Sequence, residues 1–225
     1  MALILNIETT TRNCSVSLFL GEKLISNRSH ISSQYSHSEL LTTFIQDVID
    51  LTSFSLTDLD AVSVSKGPGS YTGLRIGVST AKGLCYALSI PLLSVCPLRC
   101  MSFYISNKYP DYDLYCPMID ARRMEVFSSF YDNQNHQIRA VQADVLDDNS
   151  YKEELENKVL FFGDGSSKCK DIFKTDNSFF IDHIFPSADY MGLFSLEKYK
   201  SEDFEDLAYF EPFYLKDFLI IRKKY

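Results

Sequence analysis

The chain has no excess of positive charge: 22 lysines and arginines stand against 30 aspartates and glutamates, a net charge of −8. A protein that holds nucleic acid unaided carries a basic patch to neutralise phosphates. The longest basic run here is Arg222-Lys223-Lys224, so contact with nucleic acid is expected only through a more basic partner. No apolar run approaches the roughly 18 residues of a membrane span, and nothing resembling a signal peptide precedes Leu3. The six cysteines (Cys14, Cys85, Cys96, Cys100, Cys116 and Cys169) include no Cys-x-x-Cys pair and lie mostly in apolar segments. They read as reduced, buried thiols, and the chain as cytoplasmic. His30, His37, His136 and His183 share no spacing that would gather them on one face around a metal. His-Glu-x-x-His, nucleophile triads at motif spacing and a Gly-Lys-Ser/Thr loop ending are all missing, which removes the markers of metallopeptidase, hydrolase and P-loop chemistry.

What is present suits packed cores, with 45% hydrophobic and 14% aromatic content over 225 residues, enough for one domain or two small ones. The dominant stretch is Lys66-Gly67-Pro68-Gly69-Ser70-Tyr71-Thr72-Gly73-Leu74-Arg75-Ile76-Gly77. It follows the alternating Ala61-Val62-Ser63-Val64-Ser65 and opens a helix over 72–88. Gly67 and Gly69 allow a tight turn, and Ser70 or Thr72 can cap the helix. A junction of this kind aims backbone N–H groups at one spot, which suits a phosphate or a partner's carboxylate. A turn that only closes the connection explains the same residues equally well.

Earlier in the chain, residues 3–8 and 14–20 form a hairpin whose tip, Thr9-Thr10-Thr11, follows Glu8. With Gly67, Gly69 and Ser70, the acid Glu8 and the hydroxyls of Thr9 and Thr10 make a candidate nucleotide cleft. Residues 23–29 supply a third strand. Ser36-His37-Ser38-Glu39 then looks like a cap, and Leu40, Leu41, Phe44, Ile45, Val48 and Ile49 follow at helical spacing. At about 100° per residue these six span about 180°, wider than the roughly 100° stripe of one-sided packing. This predicts a sheet on one flank and another helix, of this chain or of a partner, on the other. In the helix over 72–88, Gly73 and Gly77 each cost about 1 kcal/mol relative to alanine, which close approach of another helix would offset. Leu41, Ile45, Val48, Gly73, Arg75 and Gly77 are therefore the expected partner interface. Pro91 ends the helix, residues 92–95 form a strand, and Cys96-Pro97 opens a further helix. Cys96 and Cys100 are four apart, a spacing that allows one shared metal but fits core packing better.

The cluster Tyr109-Pro110-Asp111-Tyr112-Asp113 marks a boundary between subdomains 1–108 and 109–225. The second repeats the first in outline, with a strand over 114–119, the polar turn Asp120-Ala121-Arg122-Arg123, a returning strand over 124–131, and Val159-Leu160-Phe161-Phe162 leading into Gly163-Asp164-Gly165-Ser166 and a helical 168–173. Ser187-Ala188-Asp189 caps a last helix.

Two such halves describe a duplicated α/β architecture of the actin, hexokinase and Hsp70 type (ASKHA, RNase H-like), each half a mixed sheet with flanking helices. The motifs Ile4-Leu5-Asn6-Ile7-Glu8-Thr9-Thr10, the 66–77 run, Asp120-Ala121-Arg122-Arg123-Met124-Glu125-Val126-Phe127, Gly163-Asp164-Gly165 and Pro212-Phe213-Tyr214-Leu215 resemble, in order, those of the TsaB (YeaZ) family. That resemblance implies a non-catalytic partner subunit in tRNA threonylcarbamoyladenosine modification. It implies a heterodimer with the paralogue TsaD, a TsaE-type ATPase in a larger complex, a homodimer when alone, and tRNA contact only through the complex. Cys96 and Cys100 match the place of two metal-ligating histidines in TsaD, so no metal site and no catalytic residue are expected. No cofactor is required, and any ATP or ADP binding should be weak. The rival expectation is a small-molecule kinase-like ATPase using Glu8, the threonines and Asp120, or, with less support, a peptidase of the same superfamily.

Overall fold

The computed structural model describes residues 1–32 and 36–216; the basic run at 222–224 lies outside them. Two five-stranded sheets form the frame. The first has β1 (Leu3–Glu8), β2 (Asn13–Leu20), β3 (Lys23–Ile31), β4 (Ala61–Ser65) and β5 (Leu92–Val95) in the order β3-β2-β1-β4-β5. The second has β6 (Leu114–Asp120), β7 (Glu125–Asp132), β8 (Gln137–Val145), β9 (Val159–Phe162) and β10 (Ser178–Ile181) in the order β10-β9-β6-β7-β8. Replacing each strand of the first sheet by the one five places later gives the second. The pairings match too: β1 with β2 and β6 with β7 are antiparallel, and β1 with β4 and β6 with β9 are parallel.

The first sheet is covered by α1 (His37–Asp50) and α2 (Tyr71–Leu88). Helix α1 packs on β2 and β3 with one flank and on α2 with the other, so its wide apolar stripe is used within the chain. Leu41, Ile45, Val48 and Ile49 join Leu5, Ile7, Val16, Leu18, Val62 and Val64 in one core. Burying a side chain of this size contributes about 1.5–3 kcal/mol. Ser36 makes no side-chain cap bond; the helix starts instead on backbone bonds from Glu39 and Leu40 to the Ser36 carbonyl. In α2 the expected cap is present, the Ser70 hydroxyl accepting from the Gly73 N–H at 3.3 Å, and Ser89 in the left-handed region ends the helix before Pro91.

In the second half the chain joins β9 to β10 through a single 3₁₀ turn, Ser166–Cys169, where a helix over 168–173 was expected. Rings take the place of helices: Phe130, Tyr151, Phe161, Phe173 and Phe180 pack on one another with centroids 5.0–6.3 Å apart. α3 (Pro97–Lys108), with proline in its first turn, covers the other face through Leu98, Met101 and Ile105.

The chain after 185 does not stay with the second half. Pro186 accepts from Asn13 Nδ2, Ala188 exchanges bonds with Ser15 and Ser17, and α4 (Gly192–Lys200) sends Ser195 Oγ to Asn6 and Ser63. Asn6, Ser63 and Ser195 are each fully buried polar groups; the Asn6 oxygen and both hydroxyls bond one another, while the Asn6 amide nitrogen has no partner among the described residues. Residues 204–214 then run as a strap over β5 and α2. Glu205 bridges to Leu92, Lys82 Nζ holds the carbonyls of Ala208 and Phe210, and Tyr214 packs on Tyr71 at 4.8 Å. By packing, the segment from 186 to 214 thus belongs with the first sheet, across the 108/109 boundary read from the sequence. No helix among the described residues is long and apolar enough to cross a membrane.

Candidate functional site

Glu8 ends β1 at the hairpin tip and is 1% exposed. One carboxylate oxygen accepts from the Thr10 N–H (2.6 Å) and the Thr10 hydroxyl (2.5 Å), and the other accepts from the Ser65 hydroxyl. Burial pushes its pKa up, and the hydrogen bonds from Ser65 and Thr10 offset only part of that. Both oxygens are thereby taken by the protein. The acid expected to face a phosphate-bound ion instead fastens the hairpin tip to the end of β4.

The glycine-rich run explains the rest of the closure. A Cβ at Gly69 would stand 2.5 Å from the Thr10 carbonyl oxygen, at Gly73 2.1 Å from that of Thr9, and at Gly77 2.3 Å from the Thr9 hydroxyl. Four residues apart along α2 and its entry, these glycines form a groove in which the Thr9-Thr10 tip lies. Thr9 Oγ1 donates to the Gly73 carbonyl at 2.8 Å, and the Ser70 N–H donates to the Thr10 carbonyl at 2.7 Å. Gly67, at φ 105°, is approached by the Phe213 carbonyl, while the Phe213 N–H donates to Lys66 O at 2.7 Å. Glu8, Thr9, Thr10, Gly67, Gly69 and Ser70 are brought together as expected. They are packed on one another and on the strap, with the Ser70 N–H spent on Thr10.

The expected partner interface requires correction. Gly73 and Gly77 are buried against Thr9, within this chain, and no foreign helix can reach them. Leu41, Ile45 and Val48 are 1%, 5% and 0% exposed, because the sheet and α2 consume the stripe. Of the six, only Arg75 is exposed, lying 4.2 Å over the Tyr71 ring and bonded to Tyr214. The glycine that does face open space is Gly83, which sequence reasoning passed over; a Cβ there meets nothing within 4 Å. Leu40, Phe44 and Ile76 of α1 and α2 pack against the same core and are only partly buried.

The second half mirrors the first. A Cβ at Gly163 would stand 2.0 Å from the Met118 carbonyl oxygen, and Gly165 abuts the end of β6. Asp164 accepts from the Asp120 N–H at 3.1 Å. Burial, then the neighbouring Asp120 charge, raises its pKa to about 6. Asp120 itself pairs with Lys168 at 2.8 Å.

Between the halves lies a cleft of about 680 Å³, lined by Lys66, the start of α3, α4 and the β7–β8 turn. Cys96 and Cys100 face it. Burial raises both thiol pKa values, that of Cys100 well above its ordinary value. Among the described residues no group of three or more His, Cys, Asp or Glu could hold a metal ion. Arg99 and Asn135, which also line the cleft, carry no sequence signature; only the fold brings them to Lys66.

The family model described as tRNA N6-adenosine threonylcarbamoyltransferase (TsaD) matches residues 28–217. The tRNA threonylcarbamoyladenosine biosynthesis protein TsaB of Bacillus subtilis is 29% identical over 175 residues, 76% of this chain and 75% of its own. The Escherichia coli protein of the same name is 31% identical over 140 residues, 60% of this chain and 57% of its own. Among solved structures, YeaZ from Pseudomonas aeruginosa has a TM-score of 0.78 over 96% of this chain and 100% of its own, at 22% identity. An activator of 2-hydroxyisocaproyl-CoA dehydratase from Clostridium difficile, with bound ADPNP, has a TM-score of 0.51 at 10% identity, over 90% of this chain and 96% of its own. These two likenesses concern the fold, which is the duplicated actin and hexokinase type.

Proposed function

The chain belongs to the TsaB (YeaZ) family, within the wider group matched by the TsaD model, and from that premise we propose that it serves tRNA threonylcarbamoyladenosine biosynthesis as a non-catalytic subunit. The observation that carries the non-catalytic part is the closed floor of the first half. A kinase-like ATPase of this fold needs an acid free to meet a metal and a loop free to cradle phosphate. Here Glu8 is buried with both oxygens hydrogen-bonded, to Thr10 and to Ser65, and the loop is filled by Thr9, Thr10 and Phe213. The chain needs no cofactor on this reading, and its affinity for ATP or ADP is weak.

Its partner is a TsaD-type paralogue, with a TsaE-type ATPase joining the complex and tRNA held by the assembly, since this chain carries a net charge of −8. The docking face is the outer side of α1 and α2, with Leu40, Phe44, Ile76 and Gly83 in place of the buried residues, and two copies meet there when the paralogue is absent. The experiment is reconstitution of tRNA modification from purified components. Omitting the chain should abolish or sharply reduce modification, Glu8→Gln should leave it intact, and Phe44→Asp with Gly83→Arg should prevent co-purification with the paralogue. Full modification without the chain would overturn the assignment. Loss of modification in a folded Glu8→Gln protein would restore the enzymatic alternative.

A further inference from the structure

Away from the cleft between the halves, an open groove of about 580 Å³ is bounded by the second part of α3, the β2–β3 turn and the segment that enters α4. Phe19 and Phe103 give it apolar lining. Two more of its lining residues, Tyr104 and Tyr190, stack with ring centroids 4.1 Å apart and planes at 21°. Tyr104 is still 41% exposed within that stack, so part of an electron-rich ring is turned to the groove.

The charge beside these rings is unbalanced. Glu22 and Asp189 both line the groove, and neither has a cation within ion-pair distance among the described residues. Asp189 is half-buried, and the Asn27 amide, donating at 2.7 Å, is the single hydrogen-bond partner of its carboxylate among the described residues. Burial pushes the Asp189 pKa up, and that one bond offsets only part of the rise. A carboxylate partly desolvated without a cation is a costly arrangement, and an arriving cation relieves it. Lys108 is the one cation on the lining. It lies 5.5 Å from the centroid of the Tyr109 ring and pairs with neither acid. The 12-residue α3 also ends here, at Asn107 and Lys108, so the negative end of its dipole adds to the same field. Rings, carboxylates and helix end thus favour one kind of ligand for three separate reasons. A guanidinium serves all of them, because it stacks flat on a ring while donating to carboxylates at its edge.

We propose that this groove binds a small organic cation, its guanidinium or alkylammonium head on the Tyr104 ring beside Asp189 and Glu22 and its apolar stem along Phe19 and Phe103. The site is separate from the sealed Glu8 floor and from the outer side of α1 and α2, and it does not depend on the subunit's role in tRNA modification. The test is an amide-resolved NMR titration of the full chain at low salt with butylguanidinium, butylammonium and butylurea, the last a neutral isostere of the first. Both cations should give saturable shifts at Glu22, Tyr104, Asp189 and Tyr190, and the urea none. Asp189→Asn should weaken binding of both about tenfold. Glu22→Gln, at an exposed position, should weaken it about threefold. Tyr104→Leu should weaken the guanidinium more than the ammonium, because the planar head loses its stacking surface. Lys108→Ala should tighten both by removing the like charge. The absence of saturable shifts from both cations, equal shifts from the urea, or undiminished binding in a folded Asp189→Asn or Tyr104→Leu protein would overturn the proposal.

Discussion

The two halves share strand order and pairing and differ in what covers the sheet. In the first, helices of 14 and 18 residues follow β3 and β4. In the second, the corresponding connections hold 3₁₀ turns of 3 and 4 residues, and a ring cluster seals the face. What both halves retain is a glycine loop pressed against the hairpin end: Gly69, Gly73 and Gly77 on Thr9-Thr10, and Gly163 and Gly165 on 118–120. Helices can be traded for rings because burial of apolar area is non-directional. The loop cannot be traded, because backbone passes within contact distance of backbone there.

That contrast can be broken in a definite order. The largest effect is expected at the shared feature. Gly73→Val and Gly163→Val place a side chain where carbonyl oxygens already stand at 2.1 and 2.0 Å. Each should destabilise by more than about 4 kcal/mol, as extreme single substitutions do, or leave no folded protein, read by urea denaturation. Were either protein as stable as wild type, the shared-loop reading would fail.

Next comes the ring cluster. Phe161 is fully buried and touches Phe130, Tyr151, Phe173 and Phe180. Phe161→Ala should cost about 3–5 kcal/mol. Hydrogen exchange should show the loss concentrated in β6 to β10, with α1 and α2 protected as before. Uniform loss would mean that the halves unfold as one unit.

A smaller effect is expected at Asp164. Its pKa in the folded chain, about 6, is raised above its ordinary 3.8, so the folded state holds the proton more tightly than the unfolded one. Stability should therefore fall as pH rises from about 4 through about 6 and stay low above it. Asp164→Asn removes that loss and should stabilise the protein by up to about 3 kcal/mol near pH 7, the rise from 3.8 to about 6 taken at about 1.4 kcal/mol per tenfold change in proton affinity, and by far less near pH 4. Equal effects at both pH values would contradict the burial argument.

The smallest effect is at the open glycine. Gly83→Ala should raise stability by about 1 kcal/mol or less, in contrast to Gly73 and Gly77 on the same helix. If Gly83 lies at the partner face, the same change weakens co-purification with the paralogue while the isolated chain melts later.

The sequence by itself determined the elements that obey a local rule. The apolar run 3–8 and the alternation in 14–20 and 61–65 specify strands, and the structure buries all three along nearly their whole length, as central strands covered on both faces are. Ser70 and Pro97 specify helix starts. The repeated strand, Gly-x-Gly order specifies the duplication. Only the tertiary structure decided what those elements face. Periodicity reports that Leu41, Ile45 and Val48 are apolar, and is silent on whether a sheet, a neighbouring helix or another protein buries them; the first sheet and α2 together do. A glycine four residues from another announces close approach, and the threonine that approaches Gly73 comes from 64 residues away. Glu8 reads as a ligand until Ser65, 57 residues on, occupies its second oxygen. Lys66, Arg99 and Asn135 share a cleft for the same physical reason: charge and hydrogen bonding act through space, and their distances are set by packing that no local pattern encodes.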